Sequence, residues 1–294
     1  MEDIEKWRKA CSITAEAREY GKSLIVKGAS MKDVSSKIED KIASLGGKPA
    51  FPAQISCDHI AAHYCVDEDD IIFDSQLAKL DLGVHIDGCI GDTAVSVDLS
   101  GRNAELVNAS REALEAAIST VRAGVTVSVI GRAIQDVITG KGFAPIRNLS
   151  GHGLAKYDVH TIPTIPNFEN GDHTKLEDGQ IVAIEPFATT GSGVIQEAGN
   201  ATVFMLVQKR PVRDPFVRAI LQHIEGYGGV PFAKRWLVKK FPKLKVNLAL
   251  RQMMQLGIIR DFPPLAEREK GLVSQAEHTL LVTKEGCEVL TKKE

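Results

Sequence analysis

A chain of 294 residues with a net charge of −2 and 25% charged residues has the composition of an ordinary globular protein, and its charge balance gives no general attraction to nucleic acid or to a membrane surface. Its five cysteines, Cys11, Cys57, Cys65, Cys89 and Cys287, are odd in number and form no CxxC pair, which argues against a disulfide framework or a thiolate zinc site and for a reducing compartment. The charged N-terminus lacks an apolar signal core and no apolar run approaches membrane-spanning length, so a cytoplasmic protein is expected, either one large domain with an insertion or two smaller domains.

In chain order, Ile4, Trp7, Cys11, Ala17 and Leu24 predict a helix over 3–26. A second helix follows, with Ser30 as its cap, Asp33 at its positive end, and Met31, Val34, Ile38, Ile42 and Leu45 as its apolar stripe. Gly46–Gly47 stops it. Short extended runs are expected around Pro52–Ile55 and Ile60–Cys65, and Asp67–Asp70 reads as a solvated acidic turn.

From Lys79 to Val97 the pattern is that of a β-hairpin. Leu80, Leu82, Val84 and Ile86 alternate with Asp81, Gly83 and His85, Asp87–Gly88 signals the turn, and a second alternating run starts at Asp92. Across a two-residue turn an odd residue faces an even one, which puts Asp81 and Asp92 on the same face unless a bulge near Gly91 changes the parity. Two carboxylates on one face repel unless a cation lies between them; the plain alternative is two aspartates at strand ends in water.

Helices are expected over 103–121 and 127–139, then strands over Ile181–Phe187 and Ala201–Val207. The order of elements suggests an α+β arrangement, with helices on one side of a mostly antiparallel sheet. Residues 208–270 are rich in Lys and Arg and read as helices near 215–225, 232–240 and 246–256. They form an inserted helical subdomain between a main domain made of 1–207 and 271–294. The basic groups are expected on a solvated helix face, without specific nucleic-acid binding. A strand over Val273–Val282 then carries Glu277. No internal repeat, GxSxG or HExxH motif is present.

Five candidate ligands emerge: Asp81, Asp92, His152 in GHG, Glu185 at a strand end, and Glu277 in an otherwise apolar run. Acids in such places are costly unless paired or bound to metal. Two divalent cations would neutralise four carboxylates. The mostly hard donor set suits cobalt, manganese, iron(II) or zinc.

The runs FPAQISCDHIAAHY, LDLGVHIDGCIGDTAVSV, NLSGHGLAKYDVHTIPTIPN, AIEPFATTGSGVI, FAKRWL, LGIIRDFPPL and SQAEHTLLV span nearly the whole chain. In this order they resemble the methionine aminopeptidases of type II. The resemblance implies the pita-bread fold, with a winged-helix-like shape for the insertion that marks the type. It also implies a hydrolase that removes the N-terminal methionine of nascent proteins and peptides with a small second residue, using two divalent metal ions and a bridging water or hydroxide. The long charged N-terminal extension of eukaryotic members is absent, so the chain looks like an archaeal or minimal member.

By that resemblance Asp81 is a bidentate ligand of one metal, Asp92 and Glu277 bridge both, and His152 and Glu185 complete the other shell. His63 resembles the histidine that contacts the scissile amide, and His160 the one that binds the substrate carbonyl. Glu185 shuttles the proton. Phe51, Val159, Pro231 and Phe262 match the apolar methionine pocket. His59 and His85 are given no catalytic role. A monomer is expected, with room for ribosome association and no membrane contact. Two alternatives stay open. One is an Xaa-Pro peptidase relative, although such enzymes normally carry an N-terminal domain for which there is no room before Phe51. The other is a non-catalytic RNA- or ribosome-binding protein of the same fold.

Overall fold

The computed structural model describes residues 3–292. In its first half, helices α1 (Ile4–Leu24) and α2 (Met31–Ser44) cover one face of a three-stranded antiparallel sheet. Its strands are Lys48–Cys57, Leu77–Ile86 and Cys89–Asp98, with Leu77–Ile86 central. Ile13, Ile38 and Ile42 meet Leu80, Leu82 and Val84 in the layer between, because the alternate positions of the strand are apolar. The Ser30 hydroxyl accepts from Asp33 N–H at 3.1 Å and donates to Asp70 Oδ2 at 2.6 Å, so it both caps α2 and ties down the acidic turn. Ser30→Ala is expected to cost about 1 kcal/mol of stability, read as a lower urea midpoint with an unchanged slope.

The hairpin has the expected two-residue turn, with positive φ at Asp87 (49°) and Gly88 (89°). Pairing runs without interruption from Ile86↔Cys89 to Leu77↔Asp98, so there is no bulge at Gly91. Asp81 faces Ala94, and Asp92 faces Gly83; both carboxylates therefore project from one face. Gly91 is needed for a different reason. A Cβ there would lie 2.5 Å from Thr14 Oγ1 and 2.7 Å from Cys11 Cα, where α1 crosses the hairpin.

The second half repeats the layering. Helices α3 (Ala104–Thr120) and α4 (Val127–Gly140) lie on a five-stranded sheet. Its strand order is Cys287–Val289, His278–Val282, Ile181–Ile184, Ser150–Ala155, Asp158–Pro166. Leu106, Ile130 and Ile134 pack with Ile165, Val182 and Leu280. The single sheet expected from the sequence is thus two principal sheets and three small ones, every named pairing being antiparallel.

Two expected strands are broken at the same level. Ile181–Ile184 stops before Glu185–Pro186, and Phe187–Thr189 joins another sheet. Likewise Val273–Gln275 and His278–Val282 flank Ala276–Glu277 and pair in different sheets, so Glu277 lies at a junction and not within a strand. Gln275 pairs with Phe187 and His278 with Ile184, which sets the two breaks opposite each other. Pro186 has no N–H to continue the ladder, and its carbonyl accepts from Ala276 N–H at 3.3 Å. Ile60–Ala62 is also shorter than expected, ending where His63 takes a positive φ of 65°.

Helices α5 (Pro215–Glu225), α6 (Lys234–Val238) and α7 (Lys243–Gln255) pack on a small sheet of Phe232–Ala233, Val203–Leu206 and Ile259–Phe262. They share an apolar cluster that includes Phe204, Ile220, Leu237, Val246 and Met253. The helix expected over 232–240 is shortened because its first two residues join this sheet. The acidic turn is not merely solvated. Asp67 pairs with Lys234 at 2.5 Å, Glu68 with Lys243 at 2.6 Å, and Asp70 binds Ser30. Glu39 of α2 accepts from Arg235 Nη1 at 2.8 Å and from Trp236 Nε1 at 3.0 Å.

Candidate metal centre

The hairpin contributes Asp81 and Asp92, the strand Ser150–Ala155 contributes His152, and the paired breaks contribute Glu185 and Glu277. The glycines around His152 have a steric cause. A Cβ at Gly151 would meet Ala183 O at 2.4 Å, and one at Gly153 would meet Ile162 O at 2.2 Å, so only glycine lets the neighbouring strands close around the histidine. The Thr279 hydroxyl donates to Asp92 O and accepts from Asp92 N–H, both at 2.8 Å, which locks the second half of the chain against the hairpin. Thr93 Oγ1 donates to Glu277 O at 2.8 Å, and Glu277 N–H donates to Ala94 O at 3.1 Å.

These five side chains line one cavity of about 220 Å³, together with His63, His160, Phe51, Val159, Pro231 and Phe262. All eleven residues singled out from the sequence are therefore brought together. His152 Nε2 is 3.9 Å from Asp92 Oδ2 and 3.7 Å from Glu185 Oε1. Asp92, His152 and Glu277 each offer a donor atom within 4.8 Å of the others. His160 packs against His152 with ring centroids 4.4 Å apart, and His63 meets the Phe262 ring edge-on at 5.7 Å.

Four acids crowd this space and no Lys or Arg lines it. Burial drives all four carboxyls up: Asp81 to about 7, and Asp92, Glu185 and Glu277 well above their ordinary values, with mutual repulsion adding to the last three. Asp81 Oδ1, Asp92 Oδ1 and Glu277 Oε2 are buried without a hydrogen-bond partner. Orphaned acceptors beside a neutral imidazole fit divalent cations, which satisfy the lone pairs and cancel the repulsion. Burial, then nearby His160, lowers His152 to about 3 and His63 to about 4, so both rings are neutral at neutral pH.

These shifts set a stability profile for the metal-free protein. The carboxyls bind protons more tightly folded than unfolded, so they lose stability as pH rises above about 4. His63, His152 and His278, all lowered mainly by burial, act in the opposite sense up to about pH 6.5 and cease to contribute above it. From there to about pH 8, where the buried ammonium of Lys79 begins to lose its proton and acts in the opposite sense, the acids dominate. Metal-free protein is expected to lose stability between about pH 6.5 and 8, seen as a falling thermal midpoint, and added Mn²⁺ should flatten the curve. A midpoint that rises over that range would contradict the raised carboxyls.

Several contributors escaped the sequence reading. Gln275 Nε2 donates to both Asp81 Oδ2 (3.2 Å) and Glu185 Oε2 (3.3 Å), linking the two halves. Its signal was its place two residues before Glu277. Arg18, buried on α1, donates to Thr93 Oγ1 at 2.8 Å, and its charge draws the Glu277 carboxyl down against the larger upward effects. An arginine on the same helix face as Cys11 and Ala15 was the available clue. Gln54, opposite Asp81 in the sheet, is buried in the cavity wall with Oε1 unpartnered.

Residues 5–284 match metallopeptidase family M24. The chain belongs to that family. Among its M24 relatives, the methionine aminopeptidase of Archaeoglobus fulgidus is 46% identical over 291 residues, covering 98% of each chain. That of Thermococcus onnurineus is 43% identical over 295 residues, covering 99% of this chain and all of the relative. The crystal structure of methionine aminopeptidase from Thermotoga maritima superposes with a TM-score of 0.72 at 23% identity, covering 99% of this chain and 97% of that one. The fold is thus the α+β pita-bread fold of M24. The chain is a metal-dependent hydrolase, and divalent cations are its cofactors.

Proposed function

We propose that this M24 hydrolase removes N-terminal methionine with two divalent ions held by Asp81, Asp92, His152, Glu185 and Glu277. The observation that carries this reading is the convergence of four acids and one neutral histidine, with three orphaned carboxylate oxygens, beside the apolar wall formed by Phe51, Val159, Pro231 and Phe262. The arrangement of two ions is favoured by charge, since four carboxylates call for four positive charges. Cobalt, manganese, iron(II) and zinc all suit the donor set.

Bound there, the cations supply Lewis acidity and a lowered pKa for water. The chain's own residues do the rest. The apolar wall takes the methionine side chain, and the acid cluster receives the substrate's free α-amine, which restricts cleavage to the first residue. The His160 N–H donates to the scissile carbonyl oxygen, a contact typically worth about 3 kcal/mol of barrier. Glu185 takes the proton of the attacking water and passes it to the departing amine. His63, neutral and with a free Nδ1, hydrogen-bonds the scissile nitrogen. We expect only a small second residue to fit beside the ions.

We take a monomer as the working unit. Among the described residues no helix is long and apolar enough to cross a membrane; we place the activity in the cytoplasm, on nascent chains at the ribosome. We take residues 208–270 as an added unit that lends Pro231 and Phe262 to the cavity, beside a catalytic body of 1–207 and 271–294 whose strand Val203–Leu206 pairs into the unit's sheet. An Xaa-Pro peptidase or a non-catalytic RNA-binding protein is disfavoured by the names of the relatives above 40% identity and by the complete ligand set. The deciding experiment measures methionine release from Met-Ala-Ser, against an Xaa-Pro substrate, with metal analysis under anaerobic conditions. Preference for Xaa-Pro, or no metal-dependent release at all, would overturn the proposal.

A further inference from the structure

A second cavity, of about 460 Å³, lies between the hairpin half and the helical unit and shares no lining residue with the metal centre. One wall carries Lys48, His85 and Tyr157, and the other Tyr227, Trp236, Lys239 and Lys240. We propose that this cleft binds a nucleotide, with its base against the aromatic rings and its phosphate on the three lysines.

Lys48, Lys239 and Lys240 are exposed, and no ion pair ties them among the described residues. The only acid in the lining among the described residues, Glu39, is committed to Arg235 and to Trp236 Nε1. Burial, then nearby lysine, lowers both His85 and His223, so neither adds charge at neutral pH. The wall therefore presents three positive charges with no free counter-charge, which calls for a polyanionic group.

Tyr157 has a positive φ of 59°, and its N–H donates to Gly88 O at 3.0 Å. Its ring is wedged between two glycines: a Cβ would fall 2.5 Å from it at Gly88 and 3.0 Å at Gly228. It is thus a fixed ring, yet 42% exposed. Opposite, Tyr227 and Trp236 lie with ring centroids 5.6 Å apart. Fixed aromatic rings beside cations select a planar ligand that also carries negative charge. The volume lies within the range of small-molecule sites. A nucleotide joins these properties in one molecule, either free or as the end of an RNA strand.

Trp236 reports occupancy directly, because the chain has only two tryptophans and Trp7 is buried in the core. In a Trp7→Phe background, AMP, ATP and a five-nucleotide oligoadenylate are titrated at low salt, with adenosine and inorganic phosphate as partial ligands. The expected result is saturable quenching by the nucleotides at or below about 1 mM. Lys239→Ala/Lys240→Ala should weaken it at least tenfold, and each partial ligand should bind more weakly than the nucleotide. Tighter binding of AMP or ATP than of the oligomer identifies free nucleotide as the source; the reverse order identifies a strand end. No saturable response from any nucleotide, or a response that the double substitution leaves unchanged, overturns the proposal. Methionine release by the same variants is a separate readout, so failure here leaves the peptidase reading intact.

Discussion

Glu277→Ala is expected to remove metal-dependent cleavage while leaving the chain folded. The backbone of residue 277 is held on both sides, by its N–H on Ala94 O and by Thr93 Oγ1 on its carbonyl, and alanine keeps both bonds. What disappears is a buried carboxylate with an unpartnered oxygen, one of three donors that lie within 4.8 Å of each other. The expected loss in kcat/KM on Met-Ala-Ser is at least about 10³-fold, or ~4 kcal/mol of transition-state stabilisation, together with a lower bound-metal content. Removing one of four mutually repelling acids should also make the metal-free variant at pH 8 no less stable than metal-free wild type. His152→Ala should lose activity and metal in the same way. Full turnover or unchanged metal content in either variant would remove these residues from the proposed ligand set.

His63→Ala is expected to behave differently. His63 lines the cavity, and we place it at the scissile nitrogen and not on an ion. Its Nδ1 has no partner within hydrogen-bond distance among the described residues, so the variant loses mainly the edge contact with Phe262 and the ring's interaction with the Pro263 backbone. If the ring serves the scissile nitrogen, kcat should fall by roughly 10²–10⁴-fold with metal content near that of wild type. A loss of activity that simply follows a loss of metal would show that His63 only supports the ligands.

How far the sequence could be read depended on the range of the physics involved. The hairpin was legible because side-chain parity and an Asp-Gly turn are local properties, and its register placed Asp81 and Asp92 on one face as expected. Helix α2 was legible through Ser30, Asp33 and a regular stripe. The breaks at Glu185–Pro186 and Ala276–Glu277 were not. Each run is apolar enough to read as one strand, and only the crossing of two sheets shows that it is two. The acidic turn was misread because its partners, Lys234 and Lys243, are more than 160 residues away. Gln275 and Arg18 were missed because a single amide or guanidinium gives no periodic signal, and their roles appear only once Asp81, Glu185 and Thr93 are placed beside them.

By itself the sequence determined most of the helices, the hairpin, and the candidate donors, four hard carboxylates and one imidazole. These follow from propensity, spacing and side-chain chemistry, which act over a few residues. The tertiary structure decided that donors from residues 81 to 277 share one cavity without a compensating cation of the protein's own. It also decided that a second, cationic cleft opens where the helical unit meets the hairpin. Both are matters of desolvation and charge between distant segments, and these are defined only after the chain has closed on itself.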